Sequence, residues 1–115
     1  MHYPVENIVG LIKLFVGKYF KTEIEIKVDG SNIIIDNIWE IRPVELSKSY
    51  FLSNDNKGYE LIKWETVRNW EDKSEIQLYK GSMILLFRKF IEDYFQEIIG
   101  NLDRQVINCL EMGKR

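Results

Sequence analysis

Gly81-Ser82-Met83-Ile84-Leu85-Leu86-Phe87-Arg88-Lys89-Phe90-Ile91-Glu92-Asp93-Tyr94-Phe95-Gln96-Glu97-Ile98-Ile99-Gly100 is the stretch around which the chain is organised. Met83, Phe87, Phe90, Ile91, Tyr94 and Ile98 recur at intervals of three and four, and Ile84, Leu86, Phe95 and Ile99 widen the stripe. Arg88, Lys89, Glu92, Asp93, Gln96 and Glu97 fall on the other side. This rhythm predicts an amphipathic α-helix with a broad buried face. Ser82 suits the N-cap, where its hydroxyl accepts from an amide of the first turn. Gly100 suits the left-handed residue just past a helix end, so the helix is expected to stop there. A last helix over 101–112 should follow, with Leu102, Val106, Cys109 and Leu110 turned inward. The apolar run 83–87 is too short to span a bilayer and charges follow it at once, which favours a core helix over a membrane one.

Upstream, residues 4–20 read as another helix. Val5, Ile8, Val9, Ile12, Phe15, Val16, Tyr19 and Phe20 form its stripe, and Pro4 fits a first turn where the missing N–H costs nothing. Gly10 and Gly17 share one side of it, as tolerated glycines or as a groove for a closely approaching backbone. The period then changes from 3.6 to 2. Glu23-Ile24-Glu25-Ile26-Lys27-Val28 alternates strictly, which marks a half-buried strand with Ile24, Ile26 and Val28 inward. Asp29-Gly30-Ser31-Asn32 is a turn, and the chain is expected to return as one long strand over 32–42, bulged at Asp36-Asn37, with a tight turn there that splits it into two short strands as the alternative. Ile33, Ile35, Trp39 and Ile41 share the inward parity. A second hairpin is expected from 49–53 and 59–64 around residues 54–58; Leu61, Trp64 and Val67 are also spaced as on a helix, but the aromatic and β-branched content of the segment favours strand, and 75–79 reads as a short strand or extended lead-in. Strands grouped between helices, rather than alternating with them, predict an α+β fold in one domain spanning 1–115. It has an N-terminal helix, an antiparallel sheet of four to five strands, and two C-terminal helices packed on one face.

Composition narrows the chemistry. The formal net charge is −2, with no block of like charges, so the electrostatic footprint of a general nucleic-acid binder is missing. One cysteine, Cys109, rules out an internal disulfide framework and points to a reducing, cytoplasmic setting, as does the lack of a secretory signal pattern at the N-terminus. Cys109 is expected to pack as a small apolar group. Sixteen isoleucines and no alanine suggest an AT-rich coding sequence, as in some bacteria, archaea, phages and viruses.

Catalytic motifs are scarce. His2 is the sole histidine and sits at a terminus expected to be mobile, so no Ser–His–acid or Cys–His arrangement is indicated. One cysteine and one histidine cannot build a zinc site, and no Gly-rich phosphate loop is present, so no metal or cofactor is called for. One polar constellation stands out on the outward parity of the first hairpin: Glu25 and Lys27 on one strand, Asp36 and Glu40 with Arg42 on its neighbour. Carboxylates with a basic residue two positions on can hold Mg²⁺ and activate water. The same spacing is also what a solvated sheet face with cross-strand ion pairs displays, and that reading is favoured.

The aromatics form the second candidate. Tyr59, Trp64 and Trp70, with Arg68, surround a charged segment, and Trp, Tyr and Arg are the residue types that anchor protein interfaces. The favoured function is a small intracellular, non-enzymatic protein-binding module of the inhibitor, immunity-protein or phage-regulator kind, using Tyr59, Trp64, Arg68 and Trp70. The rival is a metal-dependent nuclease or phosphodiesterase using Glu25, Lys27, Asp36 and Glu40. A sequence-tolerant nucleic-acid binder ranks third. Self-association as a homodimer, through a strand edge or the Gly10/Gly17 side, is compatible with each.

Overall fold

A computed structural model describes residues 2–46, 57–66 and 73–112. Helix α1 (Val5–Phe15) leads into a wider π-helical turn (Val16–Phe20), which Lys21 ends in a left-handed conformation at φ 53°. Five strands follow: β1 (Ile26–Asp29), β2 (Asn32–Ile35), β3 (Trp39–Glu45), β4 (Lys57–Thr66) and β5 (Lys73–Gly81). The long helix α2 (Met83–Met112) comes last. The sheet order is β1-β2-β3-β4-β5 and every neighbouring pair is antiparallel. The fold is therefore α+β, with helices on one face of a five-stranded antiparallel sheet.

Period-2 patterning decides what faces the helices. Ile33, Ile35, Trp39, Ile41 and Leu61 are at most 1% exposed and meet Ile8, Ile12 and Val16 of the first helical segment and Leu86 and Phe90 of α2 in one cluster. Each such side chain contributes roughly 1.5–3 kcal/mol on burial, before the ordering entropy that opposes it. Trp39 and Phe90 meet edge to face, with ring centroids 5.5 Å apart. Ser82 does cap α2: its hydroxyl accepts from the Leu85 amide at 3.4 Å.

Three expectations need correction. First, one C-terminal helix is found where two were expected. Gly100 does not take a left-handed conformation, and α2 runs straight through it to Met112. A glycine inside a helix costs only about 1 kcal/mol against alanine, and the apolar spacing continues from Ile98 through Leu102 to Val106. As a result Leu102, Val106, Cys109 and Leu110 are exposed rather than inward.

Second, the strand expected over 32–42 is two strands. Asp36 and Asn37 both take positive φ, 52° and 57°, and Ile38 N–H closes the turn on Ile35 O at 3.0 Å. Aspartate and asparagine tolerate that region where most side chains do not. Ile35 pairs with Trp39, so three residues form the connection and the inward parity is the same on both sides of it.

Third, His2 is tied down. Its Nε2 lies 3.1 Å from Val44 O and 3.0 Å from Gly58 O, so that nitrogen carries the proton and donates between β3 and β4. The Tyr3 amide beside it donates to the Tyr59 hydroxyl at 2.6 Å. Gly10 and Gly17, read foremost as tolerated glycines, line no groove within this chain, since a Cβ at either would meet open space.

Strand β1 begins at Ile26, so only part of the alternating segment is paired, and Val28 on this edge strand is 53% exposed. Residues 59–64 are strand, as their aromatic and β-branched content suggests, within β4. The proposed strand at 49–53 lies outside the described residues.

Candidate functional site

The face of the sheet turned away from the helices carries the largest charged cluster among the described residues. Pairing puts Arg42 of β3 opposite Glu60 of β4, Glu40 opposite Ile62, and Trp64 opposite Glu75 of β5. The Arg42 guanidinium donates through Nε to Glu40 and through Nη1 to Glu75, and lies 3.8 Å from Glu60. Burial by itself would lower the Arg42 pKa, but bonding to Glu40 and Glu75 outweighs it and holds the guanidinium above its ordinary value. One cation thus serves three carboxylates, which leaves the cluster formally at −2.

The Trp64 ring stands 5.9 Å from the Arg42 guanidinium carbon, within cation–π range. Trp64 is half-buried and borders an open cleft of about 260 Å³ with Ile34, Asn37 and Glu40. Glu40 is 8% exposed and Ile62 2%, although both lie on the side of the sheet opposite α1 and α2. The cleft is therefore walled by an aromatic ring, an aliphatic strand residue and a buried carboxylate already committed to Arg42.

The aromatic candidates divide between the two faces. Tyr59 points toward the helices and is 3% exposed, its ring edge-on to His2 at 5.2 Å. Burial pushes its hydroxyl pKa up, against the hydrogen bond from Tyr3, which pulls it down. Trp64, five positions on, faces the opposite way. Arg68 and Trp70 lie outside the described residues.

The hairpin carboxylates do not converge. Asp36 Oδ1 accepts the Glu25 amide at 2.8 Å, which fastens the β2–β3 turn to the chain before β1. Lys27 Nζ lies 3.4 Å from Glu25 Oε1 and 3.4 Å from Asn37 Oδ1. Lys27 pairs with Ile34 and Ile34 with Glu40, so Lys27 and Glu40 are two strand spacings apart, roughly 10 Å. Among the described residues no three His, Cys, Asp or Glu side chains are placed to hold a metal ion together.

A second polar knot lies on the helix side. Lys63 has the inward parity, yet it meets Asp93 Oδ2 at 3.0 Å and Glu97 Oε1 at 2.7 Å from α2. Trp39 Nε1 donates to the same Asp93 oxygen at 2.8 Å. Burial would lower the Lys63 pKa, but the bonds to Glu97 and Asp93 outweigh it and raise it above the ordinary lysine value. This knot fixes α2 on β3 and β4.

An apolar trough of about 290 Å³ runs between α1 and the start of α2, lined by Tyr3, Ile8, Leu11, Met83, Ile84 and Phe87 with Asn7 and Arg88 at its rim. Leu11 is 38% exposed and Ile84 72%.

Sequence reasoning placed Arg42 on the outer face but not its role as the hub. The available signal was the shared parity of Glu60, Ile62 and Trp64, legible once 59–64 is taken as a strand. The trough was not legible, because Leu11 and Ile84 look like the margins of two core stripes. Among the described residues no helix is long and apolar enough to cross a membrane. Comparison with known proteins adds no relative: no family model, no curated protein and no solved structure matches this chain.

Proposed function

We propose that this chain is a non-enzymatic protein-binding module that acts by covering a surface of a protein partner. The observation that carries the proposal is Trp64, half-buried against Arg42 at the border of a cleft on the outer sheet face. Tryptophan and arginine are the side chains most enriched where interface energy concentrates. A ring already held by its neighbours loses little rotamer freedom when a partner covers it. The three carboxylates around Arg42 disfavour phosphate at this cluster and favour a partner that presents basic or aromatic groups to it, with Lys80 opposite Glu60 at its margin. The divergent positions of Glu25, Lys27, Asp36 and Glu40 give the metal-dependent reading no comparable support.

The test is recovery of the partner by tagged protein expressed in its source cells. Wild type should retain a specific protein through washing. Trp64→Ala should lose at least nine-tenths of it while keeping the wild-type circular dichroism and melting curve. Equal recovery by a folded Trp64→Ala variant would sink the proposal.

A further inference from the structure

Helix α2 carries a second apolar stripe beside the one it buries. Ile84, Ile91, Phe95, Leu102 and Val106 lie on its flank toward α1, at intervals close to the helical period. Near the start of the helix Ile84 walls the trough that Leu11 borders from α1, and Ile91 lines a neighbouring open hollow beside Phe15. Over the last turns it has no cover at all. Every residue from 101 to 112 is exposed, with Leu102 54%, Val106 48% and Leu110 65% accessible. A dozen residues is at or below the length at which even alanine-rich helices hold in water, and most helical stability in proteins comes from a packed face. This segment contains β-branched Val106 and Ile107 and follows Gly100. Its helicity calls for something laid against the stripe.

We infer that a second copy of this chain covers it, in an antiparallel two-fold dimer that lays the end of each α2 along the other copy's α1–α2 trough. Three observations favour that occupant. The first is self-complementarity: one molecule presents both a trough without a helix and an apolar helix without a trough, as an isologous interface requires. The second is register. With the two-fold axis between Ile98 and Ile99, Phe95 meets Leu102 and Ile91 meets Val106, each twice, while Arg88 falls beside Cys109 and Glu92 beside Gln105 without a like-charge pair. The third is area. Half-exposed side chains of this size present on the order of 100 Å² each, so both copies together bury on the order of 1,200 Å², the lower bound of a specific interface. The dimer uses the flank of α2 and leaves the Trp64 face of the sheet free, so it stands or falls apart from the function proposed above.

Light scattering over a concentration series tests it. Wild type should approach twice the chain mass of 13.8 kDa. Val106→Glu should return it to the single-chain mass without altering tryptophan fluorescence or near-ultraviolet dichroism, because Val106 touches no core residue. Orientation is read from the lone thiol. Under mild oxidation Arg88→Cys should give a covalent dimer through Cys109, whereas wild type, its two Cys109 thiols roughly 30 Å apart, should not. A wild-type chain that stays at single mass into the hundred-micromolar range overturns the inference, including when another protein fills the trough. So does a dimer that Val106→Glu leaves intact, or one that links readily through Cys109 alone.

Discussion

Residues 83–99 and 100–112 belong to one helix and carry the same apolar rhythm, yet they live in different surroundings. In the first part Leu86 and Phe90 are fully buried, Tyr94 is 6% exposed, and Asp93 and Glu97 are bound by Lys63. In the second part every residue after Gly100 is exposed. The difference is not in the helix but in what lies beneath it: the sheet underlies the first part and ends before the second. Amphipathic spacing therefore reports that a face will be covered, and leaves open whether the cover comes from the same chain.

Substitutions along α2 can break this contrast. The largest effect is expected from Phe90→Ala. The ring fills the space against Trp39 and Tyr94, so the change should cost about 3–5 kcal/mol in chemical denaturation, as emptied aromatic core sites do. A loss below 1 kcal/mol would mean that the first part is not the anchored part.

Lys63→Met comes next, at about 1–3 kcal/mol, since it removes charge-assisted bonds to Asp93 and Glu97. Its pH dependence has a definite sign. The folded pKa of Lys63 is raised, so the stability it contributes is fully present below the ordinary value near 10.5 and is lost as pH rises through the folded value. Tyr59, also raised, weakens the fold in the same alkaline range but does so in both proteins. The gap between wild-type and Lys63→Met melting curves should therefore close only above about pH 10.5; a gap that closes near neutrality would contradict the assignment.

Gly100→Ala should stabilise by up to about 1 kcal/mol, because the helix continues through that position and an added Cβ meets open space. Had the helix ended there in a left-handed residue, the same change would destabilise, so the sign of the shift in melting temperature separates one helix from two.

The sequence made the elements legible where a local pattern has a single structural solution. Ser82 before a helical stripe read correctly, and alternation through Ile24 and Ile26 gave the right inward side although the strand begins only at Ile26 and leaves Val28 exposed. The turn at Asp36-Asn37 was ambiguous for a definable reason: a three-residue connection keeps Ile33, Ile35, Trp39 and Ile41 on one parity, so a straight strand and a hairpin give the same periodicity. Gly100 misled because glycine signals a helix end only when the flanking pattern also stops, and here it resumes at Leu102. The site was less legible than the fold. Arg42 gathers carboxylates from three strands, Glu40, Glu60 and Glu75, and their meeting depends on cross-strand register that no single segment encodes.

The strict chain order of the sheet also bears on how quickly the molecule assembles. Each strand pairs only with its neighbours in sequence, and three of them are joined by the short connections at Gly30 and at Asp36-Asn37. Loop closure is cheap when the segments are adjacent along the chain, so a meander zips by local steps and its mean contact separation stays low for a β-rich domain. The distant contacts, from His2 and Tyr3 to β4 and from Trp39 to Asp93, can form after that scaffold exists. Refolding should accordingly run faster than for a Greek-key sheet of equal size, with docking of α2 as its slow step.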